Sequence, residues 1–108
     1  MKKNLLKELK FYASSLNILI VEDDYELRQS LKELLETLFR EVDIAKDGID
    51  ALKKYKENKY DIVLTDINMP LMNGVDLSRE LRILNKEQCI LVLSAYIDDF
   101  VIDLIDIG

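Results

Sequence analysis

The order of apolar and polar positions divides the chain into one helix followed by alternating strands and helices. Over 2–15 the apolar residues Leu5, Leu6, Leu9, Tyr12 and Ala13, with Leu16 just beyond, recur at helical spacing between Lys and Glu, as in an amphipathic helix. Ile18-Leu19-Ile20-Val21 is short and continuously apolar, which predicts a strand buried on both faces. A helix over 25–39 is expected to bury Leu27, Leu31, Leu34, Leu35 and Leu38 and to turn Arg28, Lys32, Glu33 and Glu36 to water. Val42-Asp43-Ile44-Ala45 reads as a shorter strand. Lys46-Asp47-Gly48 turns the chain, and Asp47 can cap a helix over 49–58 that buries Ala51, Leu52 and Tyr55. Tyr60-Asp61-Ile62-Val63-Leu64 gives a third strand. After the turn dipeptide Asn73-Gly74, a helix over 75–84 points Leu77, Leu81 and Leu84 inward. Cys89-Ile90-Leu91-Val92-Leu93 forms a fourth strand, closed by Ser94-Ala95-Tyr96. Asp98 and Asp99 are expected to open a last helix with Phe100, Val101, Leu104 and Ile105 apolar.

Strands alternating with helices predict an α/β fold, a doubly wound parallel sheet with helices on both faces. The only composition boundary falls near Leu16, giving an N-terminal helix over 1–16 and a domain over 17–108. In a parallel sheet all strand carboxyl ends meet on one edge. Here that edge collects Glu22, Asp23 and Asp24 from the first strand, Asp66 from the third and Ser94 from the fourth. A flavodoxin-like strand order, 2-1-3-4-5, makes the first and third strands neighbours and brings Asp23 and Asp66 together at the usual ligand site.

Composition narrows the chemistry. A length of 108 residues suits one domain, and no apolar stretch approaches the roughly 20 residues that span a bilayer. The basic start is followed at once by Lys7, Glu8 and Lys10, so it does not read as a secretory signal. No membrane partner is expected, and the single cysteine, Cys89, reads as an inert small hydrophobe in a cytoplasmic protein. A net charge of -6 with no basic stripe argues against nucleic-acid binding by this segment. The absence of histidine removes Ser-His-Asp and Cys-His catalysis and the commonest zinc ligand. Carboxylates and a hard cation such as Mg²⁺ remain.

Thr65-Asp66-Ile67-Asn68-Met69-Pro70 is the stretch on which the rest converges. Pro70, the only proline, blocks continuation of the third strand, so Asp66 sits at the lip of a crevice. On these residues alone Asp66 is either a loop-capping aspartate or a functional one. Asp23 or Asp24 can cap the following helix, but a cap needs one carboxylate and the first strand ends in three acidic residues. Carboxylates clustered without a basic neighbour raise one another's pKa or take a divalent cation.

Three stretches carry a resemblance: Ile18-Leu19-Ile20-Val21-Glu22-Asp23-Asp24, then 61–74 with its Asp66-Ile67-Asn68-Met69-Pro70-Leu71-Met72-Asn73-Gly74, then Leu91-Val92-Leu93-Ser94-Ala95. Together they resemble the receiver domain of two-component response regulators over about 17–108. The resemblance implies that Asp66 accepts a phosphoryl group from a sensor histidine kinase. It implies that Asp23, Asp66 and the main-chain carbonyl of Asn68 bind Mg²⁺, with Glu22 acting through a metal-bound water. Ser94 takes the place of the switch hydroxyl, and Asn68 and Tyr96 lie where the family varies residues that tune phosphoryl lifetime. The module implied is a signalling switch and not an enzyme. Two alternatives are a receiver-like protein-binding module without phosphotransfer and a Mg²⁺-dependent phosphatase working through an aspartyl phosphate. The phosphatase would typically need an aspartate acid/base where Asn68 stands.

The family continues into a fifth strand, which carries an aromatic switch residue and a phosphoryl-pairing lysine, and into a fifth helix. Neither is expected within these 108 residues, and Lys86, before the fourth strand, is not placed to replace that lysine. Without a fifth strand the fourth would be an open apolar edge, so self-association is expected.

Overall fold

The computed structural model describes residues 2–69, 71–95 and 102–106. Its elements are α1 (Lys2–Ala13), β1 (Asn17–Val21), α2 (Tyr25–Glu36), β2 (Glu41–Ala45), α3 (Gly48–Glu57), β3 (Ile62–Asp66), α4 (Gly74–Leu84), β4 (Cys89–Ala95) and β5 (Ile102–Asp106). The sheet order is β2-β1-β3-β4-β5. The first four strands are parallel, as the βα alternation requires, and β5 runs antiparallel to β4. Pro70, Tyr96, Asp98, Asp99, Phe100 and Val101 lie outside the described residues.

Strand alternation divides the core into two layers. Leu19, Val21, Val63 and Ile90 face α3 and α4 and pack with Ala51, Leu77 and Leu81. Ile18, Ile20, Leu64 and Leu93 face the other way and pack with Leu31 of α2, flanked by Leu27 and Leu35. Each such side chain, fully buried, stabilises the fold by about 1.5–3 kcal/mol. At the amino end of the sheet, Asn17 N–H donates to Asp61 Oδ2 at 2.8 Å and Asp61 N–H returns to the Asn17 carbonyl at 2.9 Å. This clamp supports the β1–β3 register, which pairs Val21 with Thr65. That register decides which side chains meet at the opposite end.

The structure corrects several expectations. The segment expected to begin the last helix at Asp98 is a strand over its described part, Ile102–Asp106, hydrogen-bonded to β4. Backbone groups along the outer side of β4 need partners, and Ile102-Asp103-Leu104 also alternates with the period of a strand. Consequently β4 is not the open edge from which self-association was expected. Leu34 is 59% exposed because α2 rests on β1 and β2 through the narrower stripe Leu27, Leu31 and Leu35. Leu84, at the end of α4, is likewise half exposed. Cys89 is exposed at the entrance to β4 and is not a core residue. In α1, Ala13 is buried but Tyr12 is 69% exposed, so the domain leaves that part of the expected stripe uncovered, and the neighbouring Phe11 is 75% exposed.

Candidate metal centre at the carboxyl edge

The site is built from two strand ends and the loops that leave them. Because Val21 pairs with Thr65, Glu22 and Asp66 emerge side by side. Glu22, Asp23 and Asp66 each offer a carboxylate oxygen, and these oxygens lie within 4.8 Å of one another. Glu22 is buried, Asp66 half-buried and Asp23 exposed, so the cluster opens to water on the Asp23 side. Asp24 is not part of it: its Oδ2 accepts the Leu27 N–H at 3.0 Å and caps α2. The adjacent acidic residues thus divide their work, with Asp24 serving the helix and Glu22 and Asp23 left to the site.

Burial raises the Glu22 carboxyl from its ordinary 4.5 to about 8, with further upward pushes from the Asp66 charge and hydrogen bond and then from Asp23. Its Oε2 accepts the Asp23 N–H at 3.0 Å, fixing the carboxyl toward the turn. A proton held by the folded state but not by the unfolded state favours folding below the unfolded pKa, and that advantage is lost as pH rises through the folded value. In the absence of metal, stability is therefore expected to decline from about pH 4.5 to about pH 8. Thermal denaturation in EDTA across that range should show the decline in wild-type protein and a flatter profile in Glu22→Gln. Parallel profiles would show that Glu22 is not the group responsible.

The loop after β3 is held close beneath the site. The buried Thr65 hydroxyl donates to the Asp66 carbonyl at 3.0 Å and lies 4.0 Å from the Met69 sulfur. The chain then turns through Leu71 at φ 71°, a left-handed conformation uncommon for a residue with a side chain. Asn73 Oδ1 caps α4 by accepting the Asp76 N–H at 2.8 Å, and Gly74 N–H donates to the Ile67 carbonyl at 2.9 Å. A Cβ on Gly74 would lie 2.4 Å from the Asp66 carbonyl oxygen, so glycine permits this close return of the chain. Its role differs from the turn that Asn73-Gly74 suggested, since Gly74 does not have positive φ and is the first residue of α4.

The structure brings Glu22, Asp23 and Asp66 together as the sequence predicts. Asn68 lies exposed in the loop two residues beyond Asp66. Ser94 follows Leu93, the β4 partner of Asp66, so its backbone is at the same edge. Asp47 caps α3 by accepting the Asp50 N–H at 2.8 Å, as expected. Sequence reasoning missed Arg28, which was assigned to the solvent side of α2. Arg28 Nη1 donates to the Glu22 carbonyl at 2.7 Å and to the Asp23 carbonyl at 3.3 Å. A basic residue one turn into the helix after an acidic strand end was the available signal.

The donors in the cluster are all carboxylate oxygens, which suit a hard cation and offer nothing to a soft one. Burial first, and then the Asp66 and Asp23 charges, disfavour the Glu22 carboxylate, and a divalent ion would offset both effects.

A family model described as the response regulator receiver domain matches residues 18–108. This chain belongs to the response regulator receiver domain family. It is 41% identical over 85 residues to the regulatory protein VanRB of Enterococcus faecalis, which covers 79% of this chain and 38% of that protein. It is 46% identical over 67 residues to the sensor protein EvgS of Escherichia coli, covering 62% of this chain and 6% of that one. The chain therefore spans well under half of these curated relatives. Among solved structures it resembles the response regulator TrrA of Thermotoga maritima in complex with Mg²⁺ and BeF, at 40% identity and a TM-score of 0.69, covering 76% of this chain and 71% of that one. It also resembles the chemotaxis response regulator CheY4 of Vibrio cholerae, at 30% identity and a TM-score of 0.70, covering 78% and 72%. These receivers share the flavodoxin-like arrangement seen here in β1 to β4.

Proposed function

We propose that the chain is a phosphorylation-dependent signalling switch whose phosphoryl acceptor is Asp66. The observation that carries this reading is the meeting of Glu22, Asp23 and Asp66 within 4.8 Å at the carboxyl edge of the sheet. An Asp66 carboxylate oxygen attacks the phosphorus of a phosphohistidine on a sensor histidine kinase. The new O–P bond forms as the N–P bond breaks, and the imidazole leaves with the electron pair. Asp23, Asp66 and the main-chain carbonyl of Asn68 would hold Mg²⁺, and Glu22 would support it through water. When bound, Mg²⁺ would neutralise the phosphoryl oxygens as negative charge builds in transfer. The likeness to a receiver with Mg²⁺ and BeF supports the metal assignment.

The chain's own residues orient the acceptor. Thr65 and Gly74 keep the Asp66 main chain in place, leaving the half-buried carboxylate open toward the side on which Asp23 is exposed. Phosphorylation would leave about -1.5 to -2 charge at this edge, enough to recruit a hydroxyl such as that of Ser94 from β4. We assign this switch no enzymatic turnover of its own, because Asn68 offers no acid/base where a phosphatase would need one. We place its work in the cytoplasm, with a sensor histidine kinase as partner.

The metal assignment has a direct test. Asp23→Ala is expected to weaken Mg²⁺ binding at least ten-fold, in line with the loss of a direct ligand, while Asp47→Ala leaves it unchanged because Asp47 caps α3 in another loop. Titration calorimetry reads both. Equal losses in the two variants would place the metal elsewhere.

A further inference from the structure

We infer that Arg28 is a positioning residue for the acidic turn, holding Glu22 and Asp23 toward Asp66 through their main-chain carbonyls. This rests on the receiver reading and extends it to a residue outside the acidic cluster. Arg28 lies in the first turn of α2, where its N–H donates to the Asp24 carbonyl at 2.9 Å. Its side chain folds back over the turn. Nη1 bridges the carbonyls of Glu22 and Asp23 at 2.7 and 3.3 Å, and the guanidinium carbon stands 5.5 Å from the centre of the Tyr25 ring. The planar cation is thereby fixed from two sides, by carbonyl oxygens and by an aromatic face.

What Arg28 does not hold is equally informative. Among the described residues it forms no ion pair, unlike Lys54 with Asp50 and Arg79 with Asp76. The guanidinium therefore engages the backbone of the turn and leaves the carboxylate oxygens of Glu22, Asp23 and Asp66 to an incoming cation. Glu22 N–H donates to the Ala45 carbonyl at 3.1 Å and Asp24 caps α2, so Arg28 spans the remaining length of turn between two anchored points.

Charge and geometry have opposite consequences for a divalent cation. A nearby guanidinium repels Mg²⁺, so removal of its charge alone would tighten binding. A strut that keeps ligands in place favours binding, so removal of its geometry weakens it. Arg28→Lys keeps the charge on a shorter side chain without the planar group, whereas Arg28→Gln removes the charge as well. Both variants are expected to weaken Mg²⁺ binding about ten-fold, the lower end of the loss usual for groups that orient a metal's ligands. In labelling of Asp66 by a small phosphodonor, the half-saturating Mg²⁺ concentration should rise while the plateau at high Mg²⁺ is retained. In metal-free protein, hydrogen exchange at the Asp23 and Leu27 amides should quicken relative to amides in β3.

Tighter Mg²⁺ binding by Arg28→Gln, with Arg28→Lys unchanged, would overturn the assignment in favour of a simple charge effect. Unchanged Mg²⁺ affinity in both variants, with only thermal stability lowered, would reduce Arg28 to a structural residue. If Arg28→Gln fails to fold, Arg28→Lys carries the test. If wild-type protein neither binds Mg²⁺ nor labels, the phosphoryl-switch reading fails, and unchanged exchange at Asp23 and Leu27 would then separately overturn the role of Arg28.

Discussion

With a small phosphodonor and Mg²⁺, wild-type protein is expected to gain one acyl-phosphate adduct by intact mass, and Asp66→Asn is expected to gain none. The three clustered carboxylates are not equivalent nucleophiles. Glu22 is buried at 3% exposure, which keeps its carboxylate from the in-line approach of a phosphodonor. Asp23 is exposed on the turn between β1 and α2, where its chemistry is better used to bind a cation. Asp66 is the half-buried last residue of β3, a strand paired on both sides, and its backbone is fixed by Thr65 and by the return of the chain at Gly74. Asparagine keeps nearly the same shape but has no anionic oxygen to form the mixed-anhydride bond of an acyl phosphate. Glu22→Gln and Asp23→Asn should slow labelling through the metal and still show the adduct at high Mg²⁺ concentration. Equal labelling of wild-type protein and Asp66→Asn would remove Asp66 from its assigned role. Steady turnover of small phosphate esters by wild-type protein would favour the phosphatase alternative.

Gly74→Ala should cost about 1–3 kcal/mol of stability, the usual range for forcing a methyl group into a filled space. It should also weaken Mg²⁺ binding. The reason is the identity of the obstructed atom. The new Cβ would lie 2.4 Å from the Asp66 carbonyl oxygen and 3.2 Å from the Ile67 Cα, all main-chain atoms adjoining the acceptor. No rotamer change relieves that contact, so either α4 withdraws or the end of β3 shifts. Gly48→Ala provides the comparison. Its Cβ would lie 2.7 Å from the Met72 Cβ, in the loop before α4, and a shift of that loop relieves the contact without moving the end of β3. Urea denaturation should therefore rank Gly74→Ala as the more destabilised, with Mg²⁺ titration separating it further from Gly48→Ala. Equal stability and equal metal affinity in the two variants would show that the return of the chain at Gly74 does not brace Asp66.

The apolar runs by themselves determined β1, β3 and β4, because a short β-branched stretch bounded by polar residues has few other uses. The helical stripes and the cap at Asp47 were equally local, since a capping side chain bonds an amide only two or three residues away. The acidic edge was also legible: once strands alternate with helices, Glu22, Asp23 and Asp66 must come out on one side of the sheet. Tertiary structure decided what depends on distant partners. It assigned Asp24 to the cap and Asp23 to the cluster, a division that rests on which side chain points along α2. It showed that Gly74 serves clearance beneath Asp66, a contact across several intervening residues. It placed Arg28 on the carbonyls of the turn although its helical position faces water by periodicity. It also turned Ile102–Asp106 from an expected helix into a strand, because the amphipathic signal there was short and the backbone edge of β4 was available to pair. Periodicity reports which faces a segment can bury. Which neighbour covers each face, and which backbone group each polar side chain reaches, is set only when the strands are brought into register.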